Sequence, residues 1–333
     1  MCSTSWSGET PRQRVADTLG ETCRQPRRVG RGPSPGPYDD PVTSRSYADR
    51  CPGVLRPWIA DDGAIVRLRL VGGVVPAAAL QALVGIAETY ADGTILLTKR
   101  TNLQLRGIAH EDGCVPGGLV DALTAAGFLP SPSHELVRNI MVSPMTGRVG
   151  GQADLRAMSV ELDRLLCAEP DLARLAGRFL FVLDDGRGDV GHRSLDLGAT
   201  AVDPEHVQLR MGSDHWGPVA TLDEAPTALI AYAKRFLALA GTGDTAAWHV
   251  DELPGGGAEL TGTAYARDVR TQVTSLPLPY GIIAQDDGGA AEHIAVPDGL
   301  LNRAIADTID VHAGGEVIVT PWRSIVLPDL ENS

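Results

Sequence analysis

The chain has 333 residues, 43% hydrophobic and 21% charged, and 42 acidic against 29 basic residues give a formal net charge of −13. This composition excludes a largely disordered chain, and its negative balance argues against nucleic acid as a partner, which needs Lys and Arg in excess. No apolar run approaches the roughly 20 residues of a membrane helix, and the first thirty residues carry Arg, Pro and Gly where a signal peptide has its apolar middle, so a cytoplasmic protein away from membranes is expected.

Residues 1–48, rich in Ser, Arg, Gly and Pro and without apolar periodicity, read as a disordered tail. Order begins near Cys51. Ala64–Leu70 alternates apolar residues with Arg67 and Arg69 as a strand does, Gly72 and Gly73 turn the chain, and Pro76 opens a helix with Leu80, Leu83, Val84 and Ile86 on its buried side. Asp92–Gly107, DGTILLTKRTNLQLRG, reads as one strand of period two. That places Thr98, Arg100, Asn102 and Gln104 on one face. A face so rich in hydrogen-bonding groups is either solvated or lines a polar pocket for a large anionic ligand. A helix at Leu119–Ala126, stopped by Gly127, completes a strand–helix–strand–helix unit over residues 49–130.

The middle of the chain, 131–262, reads as a mixed α/β domain. Val137–Pro144 is extended, Ala153–Ala168 and Ala225–Leu239 are amphipathic helices, Arg178–Leu183 and His206–Met211 are strands, and Asp184–Asp189 is a turn. Over residues 263–330 the first pattern returns: a strand at Tyr280–Ala284, a helix from Val296-Pro297 through Ile309, a turn at Gly314–Gly315 and a strand at Glu316–Leu327. Aligned on their Val-Pro helix starts, TILLTKRTNLQL matches EVIVTPWRSIVL, an internal repeat weak in identity and consistent in order. The expected fold is α+β: two ferredoxin-like half-domains in a pseudo-twofold unit, each needing the other to complete a sheet, with an inserted mixed α/β domain.

Five segments carry a family resemblance: Cys51–Arg56, Leu97–Ile108 (LTKRTNLQLRGI), Val137–Gly147 (VRNIMVSPMTG), Gly177–Gly191 (GRFLFVLDDGRGDVG) and Thr320–Pro328 (TPWRSIVLP). In these the chain resembles the nitrite and sulfite reductase superfamily and, within it, the precorrin-3B synthases. The resemblance implies a tetrapyrrole held between the half-domains and the larger domain, with Arg100 and Arg138 at two basic positions of the pocket and Arg178 in a segment that is Lys-rich in sulfite reductases. Leu180 stands where those enzymes have a second basic residue, which argues against sulfite reduction. The implied reaction is oxidation of precorrin-3A at C20 with O2 to the hydroxy-lactone, with NADH acting only indirectly through a separate reductase and an electron-donor protein as partner.

For an anionic macrocycle, Arg is the fitting cation because its planar fork contacts carboxylates in pairs and stacks on π-faces. Arg100, Arg106, Arg138, Arg178 and Arg323 are the candidates, with Asn102, Gln104 and Asn139 as neutral donors; the alternative is that the arginines pair with surface carboxylates. The family's 4Fe–4S cluster takes four cysteines as Cys-x5-Cys and Cys-x3-Cys. Cys2, Cys23, Cys51, Cys114 and Cys167 show no such spacing and the sequence ends at Ser333, so a short form without the iron–sulfur domain is expected. No metal ligand is assigned. A non-haem iron held by His134, Asp184, Asp185, Asp189 and His192 stands beside the plainer reading of an Asp/Gly turn with solvent-facing histidines. The functions left open are a precorrin-3B synthase-like monooxygenase, partner-dependent or not, a non-catalytic tetrapyrrole-binding module and, more remotely, a sirohaem-dependent nitrite or sulfite reductase.

Overall fold

The structure, a computed structural model, describes residues 49–275, 278–310 and 315–330. The tail 1–48, with Cys2 and Cys23, and Gly314 of the expected turn lie outside the described residues. In chain order the first part holds β1 (Trp58–Ala60), β2 (Gly63–Leu68), β3 (Val74–Pro76), α1 (Ala77–Tyr90), β4 (Ile95–Leu97), β5 (Leu103–Ile108) and α2 (Gly117–Ala125). The middle part holds β6 (Ile140–Val142), α3 (Arg156–Ala168), β7 (Phe181–Asp184), β8 (Leu197–Ala201), β9 (His206–Met211), β10 (His215–Thr221) and α4 (Ala225–Leu239). The last part holds β11 (Gly281–Ala284), β12 (Ala290–Ile294), β13 (Leu300–Leu301), α5 (Arg303–Asp310), β14 (Glu316–Val319) and β15 (Ile325–Leu330). No helix among the described residues is long and apolar enough to cross a membrane.

The two repeats exchange strands. The first sheet runs β1-β2-β5-β4-β13 and the last runs β11-β12-β15-β14-β3, so each takes its edge strand from the other repeat. β3 pairs with β14 through Val74–Ile318, Val75–Val317 and Pro76–Glu316, and β13 pairs with β4 through Leu300–Leu96 and Leu301–Ile95. The helices that follow the exchanged strands pack over one shared apolar core, in which Leu80, Leu83 and Val84 of α1 meet Ala306 and Ile309 of α5, Leu103 and Leu105 of β5, and Val317, Val319, Ile325 and Leu327. This is the pseudo-twofold α+β unit that the repeat predicts. The third sheet, β10-β9-β8-β7-β6, is parallel from β6 to β8 and antiparallel beyond, and packs Phe179, Phe181, Leu183 and Leu209 against Met158, Leu162 and Leu166 of α3 and Leu229, Ala233 and Phe236 of α4.

Three expected elements take a different form. Asp92–Gly107 is a hairpin, β4-turn-β5, and Glu316–Leu327 is a second hairpin, β14-turn-β15. The two turns match bond for bond: Thr98 and Thr320 N–H donate to the carbonyls of Asn102 and Ser324, both at 2.9 Å, and Thr101 and Arg323 N–H return to the carbonyls of Thr98 and Thr320, both at 3.1 Å. In each, the last residue of the three-residue loop, two before the second strand, is left-handed, Thr101 at φ 55 and Arg323 at φ 61. A three-residue hairpin loop needs such a residue there, and period two alone does not distinguish a long strand from two short ones joined by a polar turn. The helix expected from Val296 begins only at Arg303, because Asp298 (φ 55) and Gly299 (φ 70) break the chain before β13.

A left-handed non-glycine residue costs on the order of 1–3 kcal/mol, which glycine does not incur. Arg323→Gly should therefore raise stability by about 1 kcal/mol in urea denaturation. A glycine inside a continuous strand would instead lower it by about 0.5–1 kcal/mol, and that result would contradict the hairpin.

Candidate functional site

The three sheets meet along a seam whose polar groups come from every part of the chain. Arg67 and Gln104 stand opposite each other on β2 and β5, on the face turned away from the helices, with Arg67 Nη2 donating to Gln104 Oε1 at 3.1 Å. Asn139 is the fixed point. Its Oδ1 accepts from Arg69 Nε (3.1 Å) and Asn102 Nδ2 (3.2 Å), while its Nδ2 donates to the carbonyls of Leu136 (3.1 Å) and Gly177 (3.0 Å). Asn102 Oδ1 in turn accepts the Leu70 N–H at 3.0 Å. The amides thus hold the first turn, β2 and the Gly177–Arg178 approach to β7 in one register.

On this frame the cations converge. Arg100 Nη1 donates to the Arg178 carbonyl at 2.7 Å, and Arg193, from the loop between β7 and β8, reaches the Lys99 carbonyl (3.4 Å) and the Pro321 carbonyl (3.5 Å), touching both equivalent turns. Neither Arg178 nor Arg193 is ion-paired among the described residues, and the Nε atoms of Arg67 and Arg193 are buried without a hydrogen-bond partner. Burial depresses the pKa of both Arg67 and Arg193, and burial with the neighbouring Arg67 brings Arg69 down to about 10. His249 completes the rim. Its Nδ1 accepts the Asp251 N–H (3.1 Å), so the neutral ring carries its proton on Nε2, 3.4 Å from Ser194 Oγ and 3.7 Å from Asp196 Oδ1. Burial, opposed by Asp251 and reinforced by Arg178, lowers the His249 pKa, and burial pushes the Asp196 carboxyl up to about 8.

Of the residues expected to bind, the structure brings Arg100, Asn102, Gln104, Asn139 and Arg178 together here. Arg323 sits in the second turn, beside the Pro321 carbonyl that Arg193 contacts. Two arginines are engaged elsewhere: Arg106 pairs with exposed Asp62, and Arg138 is clamped by Asp163 of α3 through bonds of 2.7 and 2.8 Å. Arg138 points to α3 because a half-buried carboxylate there satisfies its fork at short range. Arg67, Arg69, Arg193 and His249 complete the seam without having been singled out. The alternation in AIVRLRL carries a signal for the first two, while Arg193 and His249 lie in irregular segments with no periodic cue.

The iron candidates do not assemble as a set. His134 is buried, with Nε2 donating to the Glu169 carbonyl (3.0 Å) and Nδ1 accepting from Ser133 Oγ (2.9 Å), while His192 is exposed. Asp184, Asp185 and Asp189 do come together, but their oxygens are already engaged. Asp184 accepts the N–H groups of Gly186, Gly188, Val190 and Gly191; Asp185 accepts from Arg187, and Asp189 from Ser143 Oγ at 2.6 Å. Gly186–Gly191 also has the Gly-x-Gly-x-x-Gly spacing of dinucleotide loops, directly after β7. It leads into β8, not a helix, and Asp184 takes the N–H groups a pyrophosphate would need, so the spacing does not form a pyrophosphate-binding loop. The described cysteines fit a cluster no better. Among the described residues none joins a group of potential ligands; burial together with Asp49 and Asp163 respectively raises the pKa of the Cys51 and Cys167 thiols.

Residues 60–112 match the nitrite/sulfite reductase ferredoxin-like half domain family. The matched stretch lies within the first repeat. The chain is 29% identical over 160 residues to the ferredoxin–nitrite reductase of Synechococcus elongatus and 31% identical over 154 residues to a precorrin-3B synthase of Sinorhizobium sp., each match covering 46% of this chain. The matched stretches span 30% and 31% of those proteins' own length. Among solved structures, the NirA protein of Mycobacterium tuberculosis superposes with a TM-score of 0.59 at 20% identity, covering 83% of this chain and 57% of NirA, and shares its fold. The matched stretch reaches from the end of β1 through the first turn to beyond β5, so it includes Arg67, Arg69, Arg100 and Asn102 of the seam.

Asp189 gives the loop a pH signature. Burial, reinforced by Asp184 and Asp185 and opposed by Arg187, raises its pKa from 3.8 to about 7. The folded state therefore holds this proton more tightly than the unfolded chain, and the stability it contributes is full below about pH 4 and lost as pH rises through about 7. Asp189→Asn should match wild type near pH 4 and exceed it by about 2–4 kcal/mol above pH 7, measured by urea denaturation across that range. A pH-independent difference would contradict the assignment.

Proposed function

We propose that the seam binds an anionic tetrapyrrole and that the chain is a precorrin-3B synthase-like oxidoreductase acting on precorrin-3A at C20 with O2. The observation that carries this reading is the gathering of Arg67, Arg178 and Arg193, without carboxylate partners among the described residues, in a chain of net charge −13. Elsewhere arginines such as Arg148, Arg156 and Arg303 are neutralised by carboxylates. Unneutralised guanidiniums converging from β2 and from the segments on either side of β7 call for an anion with several carboxylates spaced around a rigid body.

Leu180 supports this reading over sulfite reduction. It is buried with Met141, Val182, Val190 and Leu195, so the position two residues after Arg178 is apolar core where sulfite reductases are expected to carry a second cation. The cations that do gather at the seam suit an anion with several separate carboxylates better than a small oxyanion to be reduced. Activation of O2 is chemistry that a redox group supplies when bound, and the electron donor belongs to a partner protein. This chain's residues hold and orient the ring: Arg100, Arg178 and Arg193 meet carboxylate arms, Asn102 and Asn139 fix the turns that carry them, and neutral His249 presents an Nε2–H at the rim.

Mass spectrometry of precorrin-3A after incubation with the protein, a reductant system and O2 should show a product heavier by one oxygen. Arg178→Ala should lower its yield about tenfold or more, the loss of one charge-assisted contact, with no change in melting temperature. Bound but unchanged substrate would point to a binding module, and failure to bind precorrin-3A at all would contradict the reading.

A further inference from the structure

A second polar cleft, of about 450 Å³, opens between the 184–192 loop, the ends of β9 and β10, and the 267–275 segment. Its wall is built around Trp216. The guanidinium carbons of Arg210 and Arg267 lie 5.0 and 4.9 Å from the centroid of that ring, and both side chains line the cleft. Their hydrogen bonds go only to neutral acceptors. Arg210 donates to the carbonyls of Gly191 and Ser213, the latter at 3.0 Å; Arg267 donates to Thr271 Oγ1 (2.8 Å) and to the Thr271 carbonyl (2.7 Å).

Neither arginine is ion-paired among the described residues, although each stands in the other's field. Arg210 is only 9% exposed, and its Nε is buried with no hydrogen-bond partner. Burial first, and Arg267 second, lower its pKa, opposed by the more distant Asp184, Asp214 and Asp251. Of the carboxylates lining the cleft, Asp184 has both oxygens committed to the loop's own N–H groups, and Asp214 forms no ion pair with either arginine. Two like charges brought together on one aromatic ring, one of them buried with an open donor, lack a counter-charge among the described residues.

We propose that this cleft is an oxyanion site, distinct in its residues from the seam, in which Arg210 and Arg267 contact a carboxylate or phosphate group and Trp216 holds the two guanidiniums in place. Arg on an aromatic face is pre-organised, so little freedom is lost when the anion arrives. The site adjoins the seam through a single stretch of chain: Gly191 and His192 line the cleft, and Arg193 reaches the two turns. The oxyanion is therefore either free or the far arm of a ligand seated in the seam.

Isothermal titration of the full chain with inorganic phosphate and, separately, with uroporphyrin as a polycarboxylate macrocycle separates these sources. Arg267 is exposed, so Arg267→Gln should leave the fold intact. Phosphate binding weakened about tenfold or more by Arg267→Gln and untouched by Arg178→Gln would establish a free-anion site, whatever happens to the tetrapyrrole reading. Uroporphyrin binding weakened by both variants, with no phosphate binding, would assign the cleft to one arm of the macrocycle. Arg267→Gln indistinguishable from wild type towards both probes would overturn the proposal, even where Arg178→Gln still weakens uroporphyrin binding and the seam reading survives.

Discussion

Each half-domain is one strand short of its own sheet, and the missing strand comes from the other repeat. β3 and β13 are three and two residues long, too short to persist alone, and each leads towards the helix that covers the shared core. Neither half can bury its apolar face without the other, because Leu80 and Leu83 from one and Ala306 and Ile309 from the other close the same core. This exchange brings the turns 98–102 and 320–324 to the same end of the molecule. Arg193 can then reach a carbonyl in each.

The price of that arrangement falls on the backbone and on the polar groups behind it. Thr101 and Arg323 both hold left-handed conformations, and the buried Thr101 hydroxyl has no hydrogen-bond partner. Strain of this kind persists only where surroundings over-determine it, and here they do: Asn139 makes four hydrogen bonds that tie the first turn to β2 and to the entrance of β7. Electrostatics divides the arginines the same way. Exposed pairs such as Arg106–Asp62 contribute about 0–1 kcal/mol, whereas the half-buried Arg138–Asp163 fork is structural, since stripping one partner from a buried pair costs about 3–5 kcal/mol. Among the described residues, Arg67, Arg178 and Arg193 at the seam and Arg210 with Arg267 in the neighbouring cleft have no carboxylate partner, and these are the cations proposed to meet a ligand.

Much of this was legible in the residues. The repeat TILLTKRTNLQL against EVIVTPWRSIVL predicted two mutually dependent halves, and helical spacing placed α1, α3 and α4 closely. The hairpins were not legible, because alternation of apolar and polar residues is the same in one long strand as in two short strands with a polar turn, and neither turn has the glycine that usually marks a left-handed position. In the site, the polar residues of LTKRTNLQL were recognisable as unusual for a core strand. Which arginines would remain free was not, since that depends on whether a carboxylate such as Asp163 is brought within reach by a helix far along the chain. Likewise Asp184 gives no sign in sequence that it will occupy the glycine loop after β7.

The central claim is that the seam recognises a macrocycle through its carboxylates. The direct measurement is a paired absorbance titration of the protein with uroporphyrin and with its uncharged methyl ester, at low and raised salt. The account predicts binding of the acid, weakened by salt, and little binding of the ester, because the guanidiniums would have no anion to meet. Equal binding of acid and ester, insensitive to salt, would mean that the ring is held by apolar contact alone and would contradict it.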